Sequence, residues 1–123
     1  MTQVNAELAE AFSRHDFTKA YGRLAPGIRW EVVGDRTHEG SAAVRETCET
    51  SANWLAGVTT TFTKFDVLTG PDFVVVDSTA QYVSADGQLS VVASCDIYRF
   101  AGDQLIGITS YTVELPTDGR PRE

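Results

Sequence analysis

The apolar residues change period once, at Gly57, and that change constrains the fold more than any other feature of the chain. Before it, they recur at helical spacing. Val4, Leu8 and Ala11/Phe12 fall at i, i+4 and i+7/i+8, so one stripe across residues 4–14 predicts a helix. His15-Asp16 breaks the stripe, and Asp16 is a good N-cap for a second helix carrying Phe17, Ala20, Tyr21 and Leu24, closed by Pro26-Gly27. Ile28 to Val33 reads as a short strand with Trp30 and Val32 on one face, followed by a polar turn from Gly34 to Thr37. Val44, Cys48, Ser51/Ala52 and Leu55 restore the helical stripe in a third helix, with Ser41 as its expected cap.

After Gly57 the period is two. Four strands are predicted at about 58–68, 73–84, 88–100 and 104–115. Thr69-Gly70-Pro71-Asp72, Ala85-Asp86-Gly87 and Ala101-Gly102-Asp103 separate them, and links this short make neighbouring strands antiparallel. Helix, helix, strand, helix and a four-stranded meander predict an α+β fold, with one strongly twisted sheet carrying its helices on a single face. Residues 1–115 form one domain in this reading, and the polar, proline-containing stretch 116–123 is expected to be a flexible C-terminal tail.

A chain of 123 residues buries roughly two-thirds of its unfolded surface without staples. A net charge of −7 disfavours nucleic acid, whose phosphates need a clustered basic surface, and equally disfavours anionic membranes. No apolar run approaches the ~20 residues of a membrane span, and the polar start is unlike a signal peptide, so the expected location is the cytoplasm. Cys48 and Cys95 stand in different predicted elements without CxxC spacing and read as small buried hydrophobes. His15 and His38 are far apart, so no zinc ligand set is visible, and no metal or other cofactor is expected.

The residue that raises the question of chemistry is Asp96, in the strand-forming run Ser94-Cys95-Asp96-Ile97-Tyr98-Arg99-Phe100. An ionised carboxylate in a strand core is costly unless paired, so Asp96 either points to water or sits in a cavity with a raised pKa. Alternation puts Leu89, Val91, Ala93, Cys95 and Ile97 on one face and Ser90, Val92, Ser94, Asp96 and Tyr98 on the other. The second face could equally be the solvent side of a half-buried strand.

Four segments carry a family resemblance: His15-Asp16-Phe17; Ala25-Pro26-Gly27-Ile28-Arg29-Trp30; His38-Glu39-Gly40-Ser41-Ala42-Ala43-Val44-Arg45; and Cys95-Asp96-Ile97-Tyr98-Arg99-Phe100 before Leu105-Ile106. Their order and spacing resemble the nuclear transport factor 2-like superfamily and, within it, the SnoaL-like group. The resemblance implies a cone-shaped α+β barrel, with three N-terminal helices in the concave face of a strongly curved, mostly antiparallel sheet. It also implies a deep pocket and, in many members, a homodimer through the outer sheet face. Ketosteroid isomerases, polyketide cyclases, epoxide hydrolases and dehydratases share the scaffold, so fold alone does not name the reaction.

Carried over residue by residue, Asp96 matches the aspartate that ketosteroid isomerases keep protonated, and it resembles the acid of SnoaL-type cyclases. The isomerase tyrosine falls near Leu8 and its base near Val32; Glu31 has the wrong parity and Asp35 lies in the turn. The epoxide hydrolase pattern fails too, with Ser94 in place of its arginine and no acid between Leu105 and Val113. What remains is a cofactor-free isomerisation or cyclisation of an apolar, carbonyl-bearing molecule, with Asp96 as general acid or oxyanion donor. Tyr98 is a candidate second donor, or else a core aromatic. Trp30, Val32, Ser94, Ser110, Thr112 and, at the rim, His38 are candidate ligand contacts. Gln81 and Tyr82 have opposite parity, so only one of them faces inward, and His15 reads as a capping residue at a helix junction. The rival reading is a non-catalytic ligand-binding or dimerisation module on the same fold.

Overall fold

The structure, a computed structural model, describes residues 2–117; most of the stretch expected to be a flexible tail, residues 118–123, lies outside them. Helix α1 spans Thr2–Ser13 and a 3-10 helix spans Phe17–Arg23. Strands β1 (Leu24–Val32) and β2 (Thr37–Glu39) precede helix α2 (Ser41–Leu55). Strands β3 (Val58–Thr69), β4 (Phe73–Ser84), β5 (Leu89–Ala101) and β6 (Gln104–Leu115) form the predicted meander. All six strands join one sheet in the order β2-β1-β6-β5-β4-β3. Its pairings are antiparallel except β1 with β6, which run parallel because α2 and the meander separate them in sequence. The helices lie on one face of the curved sheet, which is the cone-shaped α+β arrangement.

Several local expectations need correction. The second helix is 3-10 rather than α. Phe17 and Ala20, three residues apart, both reach the core on the tighter period, and Gly22 and Pro26 follow too closely for an α-helix to propagate. Leu24 belongs to β1, which starts four residues earlier than predicted and shifts register around Pro26-Gly27. His38, between the predicted turn and the third helix, stands in strand β2 opposite Trp30; three residues are too few to show a period. Neither proposed cap acts through its side chain. Gly40, at φ +91, occupies the N-cap of α2 where Ser41 was expected, and Asp16 instead pairs with Lys19 at 3.2 Å.

The core fills one half of the cone. Leu8, Ala9 and Phe12 of α1, Val44 and Cys48 of α2, Val74 and Val76 of β4, and Tyr98 and Phe100 of β5 are buried there together. Cys48 is the buried hydrophobe expected, its thiol pushed up to about 12 by burial, whereas Cys95 is only half-buried on the outer sheet face. Among the described residues, no helix is long and apolar enough to cross a membrane, and no cluster of three or more His, Cys, Asp or Glu is placed to hold a metal ion.

Candidate functional site

The other half of the cone is open. Read backwards along β5, the inward side chains pass from Tyr98, wholly buried, through Asp96 to Ser94, Val92 and Ser90, which line a cavity of about 300 Å³. The inner face of the strand therefore changes from core to cavity wall at Asp96. The alternation seen in the sequence is real, with its more polar half turned inward. The remaining wall comes from Phe12 and Phe17, from Trp30 and Val32 of β1, and from Ser110 and Thr112 of β6, with Trp54 and Tyr82 toward the mouth.

A small hydroxyl cluster holds Asp96. Ser13, the last residue of α1, donates from Oγ to Asp96 Oδ2 at 2.9 Å and lies 2.6 Å from the Tyr98 hydroxyl. Ser110 stands opposite Asp96 on β6, bonds its carboxyl, and accepts the Trp30 Nε1–H at 3.0 Å. Burial raises the Asp96 carboxyl above its ordinary range, while hydrogen bonds from Ser110, Ser13 and Tyr98 pull it back. Desolvation wins, so the group holds its proton to higher pH than a free carboxyl. Burial and the neighbouring Asp96 charge also push the Tyr98 phenol well up, so it stays neutral.

The candidate residues divide by position. Asp96, Trp30, Val32, Ser94, Ser110 and Thr112 line one cavity. Tyr98 does not reach it; its ring packs edge-on against Phe12 at 5.8 Å, and its hydroxyl is satisfied within the cluster behind Asp96. His38 also stands outside, on a separate groove, where Nδ1 meets Thr47 Oγ1 at 3.1 Å and the ring backs onto Trp30. Between Gln81 and Tyr82, it is Tyr82 that faces inward.

Sequence reasoning missed His15. The α1 helix ends in a Schellman turn, with Asp16 N–H on Ala11 O at 2.8 Å and His15 N–H on Phe12 O at 2.9 Å. This places His15 in the left-handed region at φ +70, where glycine or asparagine is usual, and swings its imidazole into the cavity wall. Its Nε2 lies 2.9 Å from the Tyr82 hydroxyl, and burial holds its pKa below the ordinary histidine value. The available signal was a helix stop without glycine, the run Ser13-Arg14-His15-Asp16.

Comparison with known proteins agrees with this architecture. No curated protein sequence matches the chain. Among solved structures, an NTF2-like protein of unknown function from Cytophaga hutchinsonii ATCC 33406 is similar at 29% identity and a TM-score of 0.82, covering 92% of this chain and 99% of that one. A protein from Xanthomonas campestris pv. campestris to which polyketide cyclase activity is ascribed shares the fold at 18% identity and a TM-score of 0.70, covering 89% and 90%. An LEH-like epoxide hydrolase from M. tuberculosis does so at 16% and 0.68, covering 91% and 84%. Residues 6–108 match the SnoaL-like domain, and with most of its length in that match the chain belongs to the SnoaL-like domain family.

Proposed function

We propose that the cone binds a largely apolar ring compound bearing a carbonyl, and that Asp96 moves or shares a proton at that carbonyl without a cofactor. The observation carrying this reading is a carboxyl with a raised pKa, fixed by Ser13 and Ser110, at the inner end of a mostly apolar cavity. A carboxyl that keeps its proton toward neutral pH can donate it to a carbonyl oxygen as negative charge builds there. The carbon next to the carbonyl then gives up a proton, its C–H electron pair becomes the new C=C bond, and the carbonyl π pair moves onto oxygen. Water entering the open mouth of the cavity takes up that proton, while His15, kept neutral by burial, stays bonded to Tyr82 at the other end. Isomerisation and aldol-type cyclisation both begin with this step. The activities attached to structures of the same fold, polyketide cyclase and epoxide hydrolase, are compatible with a scaffold that varies its chemistry by the groups in the cone. Two free thiols, Cys48 and Cys95, suit a cytoplasmic setting.

The test needs no knowledge of the natural substrate. 2-Tetralone, a bicyclic ketone with exchangeable hydrogens beside its carbonyl, is incubated in D₂O with native protein and with Asp96→Asn, and exchange is followed by NMR. Native protein is expected to accelerate exchange, and Asp96→Asn to lose about 10²- to 10⁴-fold of that acceleration, the usual contribution of a positioned acid or base. Tight binding of the ketone without acceleration by either protein would replace the enzyme with a carrier.

We also place a homodimer contact on the outer sheet face. Tyr111 and Val113 are 47% and 48% exposed there, opposite Cys95 and Ala93 of β5, and give that face an apolar centre. Tyr111→Asp with Val113→Asp is expected to turn a dimer into a monomer by sedimentation velocity. A native monomer at high micromolar concentration would remove the interface.

A further inference from the structure

The geometry points to a second polar anchor, the Tyr82 hydroxyl held by His15, which makes the cavity a two-point site for a flat ligand with an oxygen at each end. This deepens the proposed function and rests on Asp96 as the partner of the first oxygen.

The two anchors stand on one inner face. The β4 partner of Asp96 is Val76, and Tyr82 lies six residues further along the same strand, with the two side chains reaching toward one another closely enough that the Asp96 charge, after burial, raises the Tyr82 phenol. Between them the wall is Val92 and Ser94 of β5, faced by the rings of Phe12, Phe17 and Trp30, a surface that favours flat apolar ligands. At the mouth, the indole of Trp54 lies 5.5 Å from the Tyr82 ring and is 58% exposed, unusual for a side chain of that size.

His15 makes Tyr82 an anchor rather than a lining ring. A tyrosine hydroxyl at a cavity mouth would ordinarily turn toward solvent. Here its oxygen is bonded to His15 Nε2 at 2.9 Å, and His15 is held by the closing turn of α1. Whichever of the two donates, the phenol keeps hydrogen-bonding capacity for a ligand: a proton to give if the imidazole donates, a lone pair if it accepts. The left-handed backbone adds an independent pointer. A non-glycine residue at φ +70 is disfavoured, and outliers of this kind concentrate where a side chain has work to do.

The experiment compares 2-naphthol with 2,6-dihydroxynaphthalene by isothermal titration calorimetry. The two share one ring system and differ only in the second oxygen. Native protein is expected to prefer the dihydroxy compound about five- to tenfold, the range of one net hydrogen bond. Tyr82→Phe should erase that preference while leaving 2-naphthol within about twofold, since the single oxygen goes to Asp96. His15→Asn tolerates the left-handed backbone but is too short to reach Tyr82, so it should remove most of the preference. The double variant should be no worse than Tyr82→Phe, because His15 acts through Tyr82. An unchanged preference in Tyr82→Phe, or equal binding of both compounds by native protein, overturns the inference. Asp96→Ala separates the two ideas. If it weakens both compounds, both readings stand; if it weakens neither while the preference persists, the Asp96 reading falls and the mouth anchor survives.

Discussion

Asp96→Asn is expected to make the fold more stable at pH 8, by on the order of 1–2 kcal/mol, and to leave it almost unchanged at pH 4. The sign follows from the raised native pKa. Between the ordinary carboxylate value and the higher native one, the folded state binds the proton that the unfolded chain releases. Native stability therefore falls as pH rises through that window and stays at the lower level above it. Asparagine fills nearly the same volume and carries no charge, so this decline disappears. The Ser13 and Ser110 hydroxyls can rotate to accept from its amide instead of donating to a carboxylate. Paired urea melts at pH 4 and pH 8 would show it. A variant less stable than native at pH 8 would mean that the hydroxyl cluster outweighs desolvation and that Asp96 is a structural anion. Gained stability with lost proton exchange is what a working group in a costly environment predicts.

Phe12→Ala should destabilise the protein by about 3–5 kcal/mol, lowering Tm by roughly 10–25 °C for a domain of this size. Phe12 is 3% exposed and meets three rings edge-on: Phe17 at 5.0 Å, Trp30 at 5.3 Å and Tyr98 at 5.8 Å. It separates core from cavity, so its removal merges the void with the existing space. The cost also reaches the site, because Trp30 donates to Ser110 and Tyr98 backs Ser13. Loss of ligand affinity is expected to accompany the loss of stability. A change under 1 kcal/mol would mean that the rings close over the gap, and that the cavity floor is softer than its packing implies.

The meander was legible because each strand from Val58 onward alternates over a dozen residues between glycine-bearing turns, and the structure reproduces those bounds to within a residue or two. The position of Asp96 at the cavity was only half legible. Alternation identified which residues share its face, and the family resemblance supplied which face turns inward. What the sequence hid depends on three-dimensional register. Tyr82 could not be told from Gln81 because β4 carries Val74, Val75 and Val76 near its start, apolar on both faces, so its alternation does not say which face turns inward; only its regular pairing with β5 puts Tyr82 on the side of Asp96. Tyr98 shares the strand face of Asp96 but falls on the core side of it, a distinction that depends on how far the helices fill the cone. His15 was hidden because a side chain leaving a helix end takes its direction from one backbone dihedral, and no periodicity encodes that.

The closing turn of α1 joins both ends of the cavity. Ser13 reaches Asp96 on β5, and two residues later His15 reaches Tyr82 on β4. The sheet sets how far apart Asp96 and Tyr82 stand, and three consecutive residues set how each is held. Changing the length of that turn by one residue would release one end while leaving every strand in place, so a single helix stop, Ser13-Arg14-His15, couples the two ends of the cavity.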